Sequence, residues 1–88
     1  MKEHEVFLKV IAEENRSSII KTLSRNTCCA SKIAEELNLN NTTLAYHLSM
    51  LKENGIVNCI RKGKNIFYTL DRQALQNAFT RMYDYIAN

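Results

Sequence analysis

Residues 31–51 decide the fold, and they read SKIAEELNLNNTTLAYHLSML. The first half predicts a short helix, because its apolar residues fall on one helical face. These residues are Ile33, Ala34 and Leu37. The helix should end near Asn38, since asparagine tolerates the left-handed backbone conformation that closes helices. We expect Leu39, which follows directly, to be buried in the turn.

The second half predicts a longer helix over residues 41–54, with Asn40 as its N-cap and Gly55 as its stop. One side of this helix is apolar, because leucines recur at i, i+4 and i+7. They are Leu44, Leu48 and Leu51. His47 lies beside this stripe, where a histidine that packs in the core and bonds the backbone is the expectation, and a metal ligand the alternative.

A short helix, a tight turn and a longer amphipathic helix form the layout of a helix-turn-helix. The second helix of this motif enters the DNA major groove, which is about 12 Å wide, and contacts bases near its N-terminal end. Its outward face therefore needs short hydrogen-bonding side chains. The candidate DNA-binding residues on this helix are Asn41, Thr42, Thr43, Tyr46 and Ser49. The free backbone N–H groups at the helix start can also bind a phosphate.

A β-hairpin is predicted directly after this helix. Residues 56–60 and 65–70 are rich in β-branched and aromatic residues, which favour strands. The turn between them is basic and centred on Gly63. Its cations, Arg61, Lys62 and Lys64, suit contact with the DNA backbone or minor groove.

Helices are predicted on both sides of this central part. The first covers about residues 2–14, and the second follows a break or N-cap at Asn15. Asp71 should cap the last helix, over about residues 71–87. The resulting order is α-α-α-α-β-β-α. This is a mainly α fold with a small β-hairpin, the architecture of a winged helix-turn-helix.

The last helix carries a long apolar stripe that suggests a homodimer. Its members are Leu75, Ala78, Phe79, Met82 and Ile86. This stripe is longer than one small domain needs, so the terminal helices, about 2–14 and 71–87, are expected to form the dimer interface. The predicted interface residues are Phe7, Ile11, Leu75, Phe79, Met82 and Ile86. Two recognition helices about 34 Å apart would then read a pseudo-palindromic operator in double-stranded DNA.

Length and composition bear on the number of domains, on membrane association and on enzymatic activity. The 88 residues form one domain, residues 1–88, with a net charge of +3 that by itself decides little. No apolar segment approaches the length of a signal peptide core or a membrane span, so we expect a cytoplasmic protein with no membrane partner. No nucleophile–base grouping, phosphate-binding glycine loop or complete metal site is visible, so neither an enzyme nor a cofactor is predicted.

From Thr27 through Leu70 the sequence resembles the ArsR-type winged-helix regulators, small dimeric repressors that respond to metals, metalloids and other stresses. The matching stretches are residues 31–39, 42–48, 51–57 and 61–70. The His-Leu pair followed by Leu-x-x-x-Gly is fairly specific for this family and its close relatives. The resemblance implies a recognition helix that starts near Asn41 and terminal helices that pair across a two-fold axis.

The sequence departs from the metal-sensing members of that family. Many of them carry Cys-x-Cys before the recognition helix, whereas here Cys29 matches the first cysteine and Ser31 replaces the second. Others bind zinc through Asp and His on the last helix, which here has Asp71 and Asp84 but no His. The resemblance therefore implies no metal response.

Two alternatives to a plain DNA-binding repressor stay open. The thiols of Cys28, Cys29 and Cys59 could sense oxidants or bind a soft metal or arsenic(III), although the simpler interpretation is that they are small, partly buried hydrophobes. The winged helix could also bind another protein instead of DNA. Steep salt dependence of DNA affinity would favour the DNA-binding interpretation.

Overall fold

Five helices and a small sheet make up the computed structural model, which describes residues 3–88, with side chains from Glu5 onward. In chain order they are α1 (Glu3–Ala12), α2 (Glu14–Arg25), β1 (Cys28–Cys29), α3 (Ala30–Leu37), α4 (Asn41–Glu53), β2 (Val57–Lys62), β3 (Asn65–Leu70) and α5 (Arg72–Ala87). The predicted winged helix-turn-helix is confirmed, and Lys2, the predicted start of the first helix, lies outside the described residues.

The structure adds one strand that the sequence did not predict. The two residues of β1 pair antiparallel with β3, so the sheet has three strands in the order β1-β3-β2. Two residues are too few to show the alternation by which strands are recognised. This pairing ties the middle of β3 to the start of α3.

The core lies where the helices meet the root of the hairpin. Its largest fully buried side chains are Ile19, Ile33, Leu44, Leu51, Ile56 and Val57. At the other end of the chain, the Phe7 ring of α1 packs edge-on against Phe79 of α5, with ring centroids 5.2 Å apart and an interplanar angle of 88°. This aromatic pair attaches the last helix to the first.

Local capping follows the sequence closely. Asn38 adopts the left-handed conformation, with φ 54° and ψ 45°, and ends α3 as predicted. The Asn40 side chain accepts a hydrogen bond from the Thr43 N–H at 2.8 Å and caps α4. Asp71 caps α5 by accepting from the Ala74 N–H at 2.9 Å.

The start of the second helix differs from the prediction. Asn15 lies inside α2, and the N-cap is Glu13, whose carboxylate accepts from the Arg16 N–H at 2.9 Å. A carboxylate serves this role well because it also faces the positive end of the helix dipole.

The hairpin is longer and its loop is tighter than predicted. The ladder continues to the pair Lys62↔Asn65, so Arg61 and Lys62 lie on β2 and only Gly63 and Lys64 form the loop. Gly63 has a φ of 63°, a conformation that favours glycine and lets two residues close the hairpin. Within residues 3–88, no helix combines the length and apolarity needed to span a bilayer.

Candidate nucleic-acid interface

Helix α4 has two clearly different faces. The side chains of Leu44, His47, Leu48 and Leu51 are at most 6% exposed and face the core. On the other side, Asn41, Thr42, Tyr46 and Ser49 are exposed, and 58% of Tyr46 is accessible. Thr43, between the faces, is half-buried. Four of the five residues predicted on this helix therefore share an accessible, polar surface.

The first turn of α4 adds backbone donors to this surface. The Asn40 cap uses the N–H of Thr43, and the N–H of Leu44 bonds the Asn40 carbonyl at 3.0 Å. The N–H groups of Asn41 and Thr42 belong to the helix end, where no intrahelical acceptor exists. Such an end favours anions, including a DNA phosphate.

The three predicted cations lie at the tip of the hairpin, and all are exposed. Consecutive residues of a strand point to opposite faces, so Arg61 and Lys62 project from different sides of the sheet. The Lys62 ammonium lies 6.0 Å from the centroid of the Phe67 ring, which is on the same face of the sheet. Lys64 is in the loop itself. The hairpin tip therefore offers positive charge in several directions.

The three thiols are not gathered into one site. Cys28 and Cys59 are both cross-strand partners of Tyr68, which lies between them in the sheet. With strands about 4.8 Å apart, their Cα atoms are about 10 Å apart, beyond the reach of a disulfide. Across the described residues, no three His, Cys, Asp or Glu side chains group to hold a metal ion.

Cys29 differs chemically from the other two thiols. It is the N-cap residue of α3, and its sulfur lies 3.4 Å from the Ser31 hydroxyl. This contact, together with the Lys32 backbone N–H, lowers the pKa of the Cys29 thiol. Cys59 instead bonds the Lys52 ammonium and raises the pKa of Lys52.

His47 is buried as predicted, but its partner is not the backbone. Its Nδ1 lies 3.1 Å from Nη1 of Arg16, which is itself only 8% exposed. The Glu13 carboxylate is 3.8 Å from the same nitrogen. Burial acts to raise the pKa of Glu13, but hydrogen bonds from backbone N–H groups, first that of Arg16 and then that of Asn15, act in the opposite direction, and the pKa is lowered overall. Nothing in the sequence marked Arg16, because an arginine in a short helix ordinarily lies on the surface.

The predicted dimer residues differ widely in exposure. Phe7 is only 6% exposed within one chain and therefore offers almost no surface to a partner. Ile11, Leu75 and Met82 are half-buried. Phe79 and Ile86 are 41% and 72% exposed, and Tyr83, absent from the prediction, is 70% exposed. Tyr83 lies four residues after Phe79, and this helical spacing was the sequence signal that could have placed it on the same face.

Comparison with known proteins agrees with this architecture. The family model described as "Bacterial regulatory protein, arsR family" matches residues 13–58. The transcriptional repressor SdpR of Bacillus subtilis (strain 168) is 31% identical over 78 residues, which cover 89% of this chain and 87% of that protein. The transcriptional activator HlyU of Vibrio cholerae is 34% identical over 65 residues, covering 74% of this chain and 60% of HlyU.

Solved structures give the same result. An ArsR-like transcriptional regulator from Rhodococcus sp. RHA1 superposes with a TM-score of 0.84 at 26% identity, covering 97% of this chain and 79% of that one. The family model spans more than half of the sequence, and the helices and hairpin lie in the order that such regulators require. This protein belongs to the arsR family of bacterial regulatory proteins.

Proposed function

We propose that this DNA-binding regulator represses transcription as a cytoplasmic homodimer on a pseudo-palindromic operator. Each protomer inserts α4 into a major groove and lays the β2–β3 hairpin against the neighbouring backbone or minor groove. The observation that carries the proposal is the division of α4, whose leucine face is buried while Asn41, Thr42, Tyr46 and Ser49 are exposed.

The shape of this face suits the major groove. A helix with its side chains is about 10–12 Å in diameter, close to the groove width of about 12 Å. Bulky apolar side chains on the outward face would keep the backbone away from the bases. Here the outward residues of the first two turns are an asparagine, a threonine, an alanine and a tyrosine, which leave room for close approach.

The dimer is supported by the apolar side chains that one chain leaves uncovered. Phe79, Tyr83 and Ile86 are spaced at i, i+4 and i+7 along one side of α5 and are between 41% and 72% exposed. Burying a large apolar side chain is worth about 1.5–3 kcal/mol, so a two-fold pairing of these helices is favourable. That pairing presents two copies of α4 to the same duplex.

Selection of bound duplexes from a random DNA pool tests the whole proposal. We expect an enriched site with two inverted half-sites whose centres lie about one helical turn, or 34 Å, apart. No enriched sequence, or one undivided site, would contradict the proposal.

Two sets of variants separate the roles of the surfaces. Thr42→Ala and Tyr46→Ala should change the base preferred at fixed positions of the half-site, whereas Lys64→Gln should weaken all sequences alike. For the dimer, Ile86→Glu, at a side chain that is 72% exposed in one chain, should lower the molar mass measured by analytical ultracentrifugation. Thr80→Glu, exposed on the same helix about 120° around its axis from Ile86, should not. Equal effects of both glutamates would argue against this interface.

A further inference from the structure

Arg16 is a buried cation whose side chain bonds two other helices. Its Nε donates to the Val10 carbonyl at 2.6 Å, and its Nη2 donates to the Lys9 carbonyl at 3.4 Å. Both carbonyls belong to the last turn of α1, where helix carbonyls lack intrahelical donors and carry partial negative charge. Its Nη1 faces Nδ1 of His47 on α4 at 3.1 Å.

The chemistry of this contact determines which ring nitrogen of His47 accepts a hydrogen bond. A guanidinium has only donors, so Nδ1 of His47 is the acceptor in this contact and the ring N–H is on Nε2. The same nitrogen is 3.8 Å from Oε1 of Glu13, the residue that caps α2. The guanidinium is planar and rigid, so its bonds to α1 and to α4 have a fixed mutual geometry.

We propose that Arg16 and His47 are positioning residues for DNA binding, which fix the recognition helix α4 relative to α1. Neither residue touches DNA. In the homodimer proposed above, on which this inference rests, α5 forms the interface, and the Phe7–Phe79 contact holds α1 against α5. The Arg16–His47 contact therefore sets where each recognition helix lies relative to the two-fold axis.

Helix geometry shows how precisely α4 must be oriented for DNA binding. Asn41 precedes His47 by six residues, which is about 9 Å along the helix axis. A tilt of about 10° pivoting at His47 then moves the Asn41 end by about 1.6 Å. Hydrogen bonds span only about 2.7–3.2 Å, so such a tilt breaks base contacts at the far end of the helix. Loss of the Arg16 contact therefore weakens DNA binding without removing any side chain that contacts DNA.

The test compares two duplexes, one with the selected two-half-site operator and one with a single half-site. The β2–β3 hairpin and α4 of one protomer suffice for the half-site, whereas the full operator also requires the correct separation of two copies of α4. His47→Leu should lose about tenfold or more in affinity for the full operator, because the two misplaced copies of α4 no longer make their base contacts in both half-sites at once, and less than about threefold for the half-site.

A pair of conservative variants separates positioning from packing. In His47→Asn the side-chain oxygen takes the place of Nδ1 and accepts from Arg16, so affinity for the full operator should return to within about threefold of the parent. His47→Gln puts its amide near the place of Nε2 and should behave like His47→Leu. Arg16→Lys replaces the three bonding nitrogens of the guanidinium by a single ammonium nitrogen, so it should also lose operator affinity. Arg25→Lys is the matched control, because Arg25 is on the same helix, exposed, and paired with Glu36 at 3.7 Å.

The outcomes distinguish the two proposals. If the parent does not prefer the two-half-site duplex, the dimer proposal fails, and this inference fails with it. If the parent does prefer it, but His47→Leu and His47→Gln weaken both duplexes equally, only the positioning role is overturned. Rescue by Gln and not by Asn would overturn it as well. Circular dichroism at the binding temperature confirms that each variant is folded, and if His47→Leu is not, the Asn and Gln pair decides.

Discussion

Replacing Lys64 by glutamine gives the most direct measure of the role of the hairpin. Lys64 is exposed in the two-residue loop, and Gly63 keeps the turn that closes it, so the substitution leaves the fold unchanged. Each phosphate that a protein neutralises contributes about 0.9 to the slope of log affinity against log salt. A homodimer carries two copies of Lys64, so the slope should fall by about 1.8.

Binding of a fluorescent operator, followed by anisotropy at several salt concentrations, measures this slope. Between 50 and 200 mM salt the parent should lose about 12-fold more affinity than Lys64→Gln, because a slope difference of about 1.8 acts over a fourfold change in salt. Lys9→Gln serves as the control, because Lys9 is an exposed lysine on α1 and lies outside the helix and hairpin proposed to contact DNA. Its slope should equal that of the parent.

Equal slopes for the Lys64 and Lys9 variants would refute the assignment of the hairpin to DNA. A fall of only about 0.9 would mean that one hairpin of the pair reaches a phosphate, which contradicts symmetric binding.

Three further predictions concern stability and thiol chemistry. Asn40→Ala removes the cap on the Thr43 N–H and should lower the free energy of unfolding by about 1 kcal/mol in urea titrations; no change would show that the cap is dispensable. Ile33→Ala, at a fully buried site, should cost about 2–5 kcal/mol by the same measurement, and a cost below that of the cap would contradict close packing there. Because its pKa is lowered, Cys29 should be alkylated faster than the other thiols at neutral pH, as followed by mass spectrometry. Ser31→Ala should remove most of this difference, and unchanged rates would refute the hydrogen bond as its cause.

Much of the fold could be predicted because its signals are local. The left-handed Asn38, the cap at Asn40 and the glycine loop of the hairpin each depend on a single residue's conformational preference or on a bond over a few residues. The two faces of α4 follow from leucine spacing alone. The candidate DNA-binding surface was therefore readable from its residues, since exposure of one helix face follows from burial of the other.

Other features required the tertiary structure. Strand β1 exists only because β3 lies beside it, and two residues carry no pattern of their own. The separation of Cys28 and Cys59 by Tyr68 likewise depends on strand order, which excludes the three-thiol site that their presence suggested. The burial of Phe7, a predicted interface residue, within one chain also depends on the fold, because the Phe79 ring packs against it.

The sequence by itself determined the order of elements and the polar face of α4, because helical periodicity and capping act over neighbouring residues. Only the tertiary structure decided that Arg16 is buried and joins α1 to His47. The physical reason is that a charged side chain enters the interior only where separate segments supply its hydrogen-bond partners, and residues 10, 16 and 47 meet only after the chain has folded.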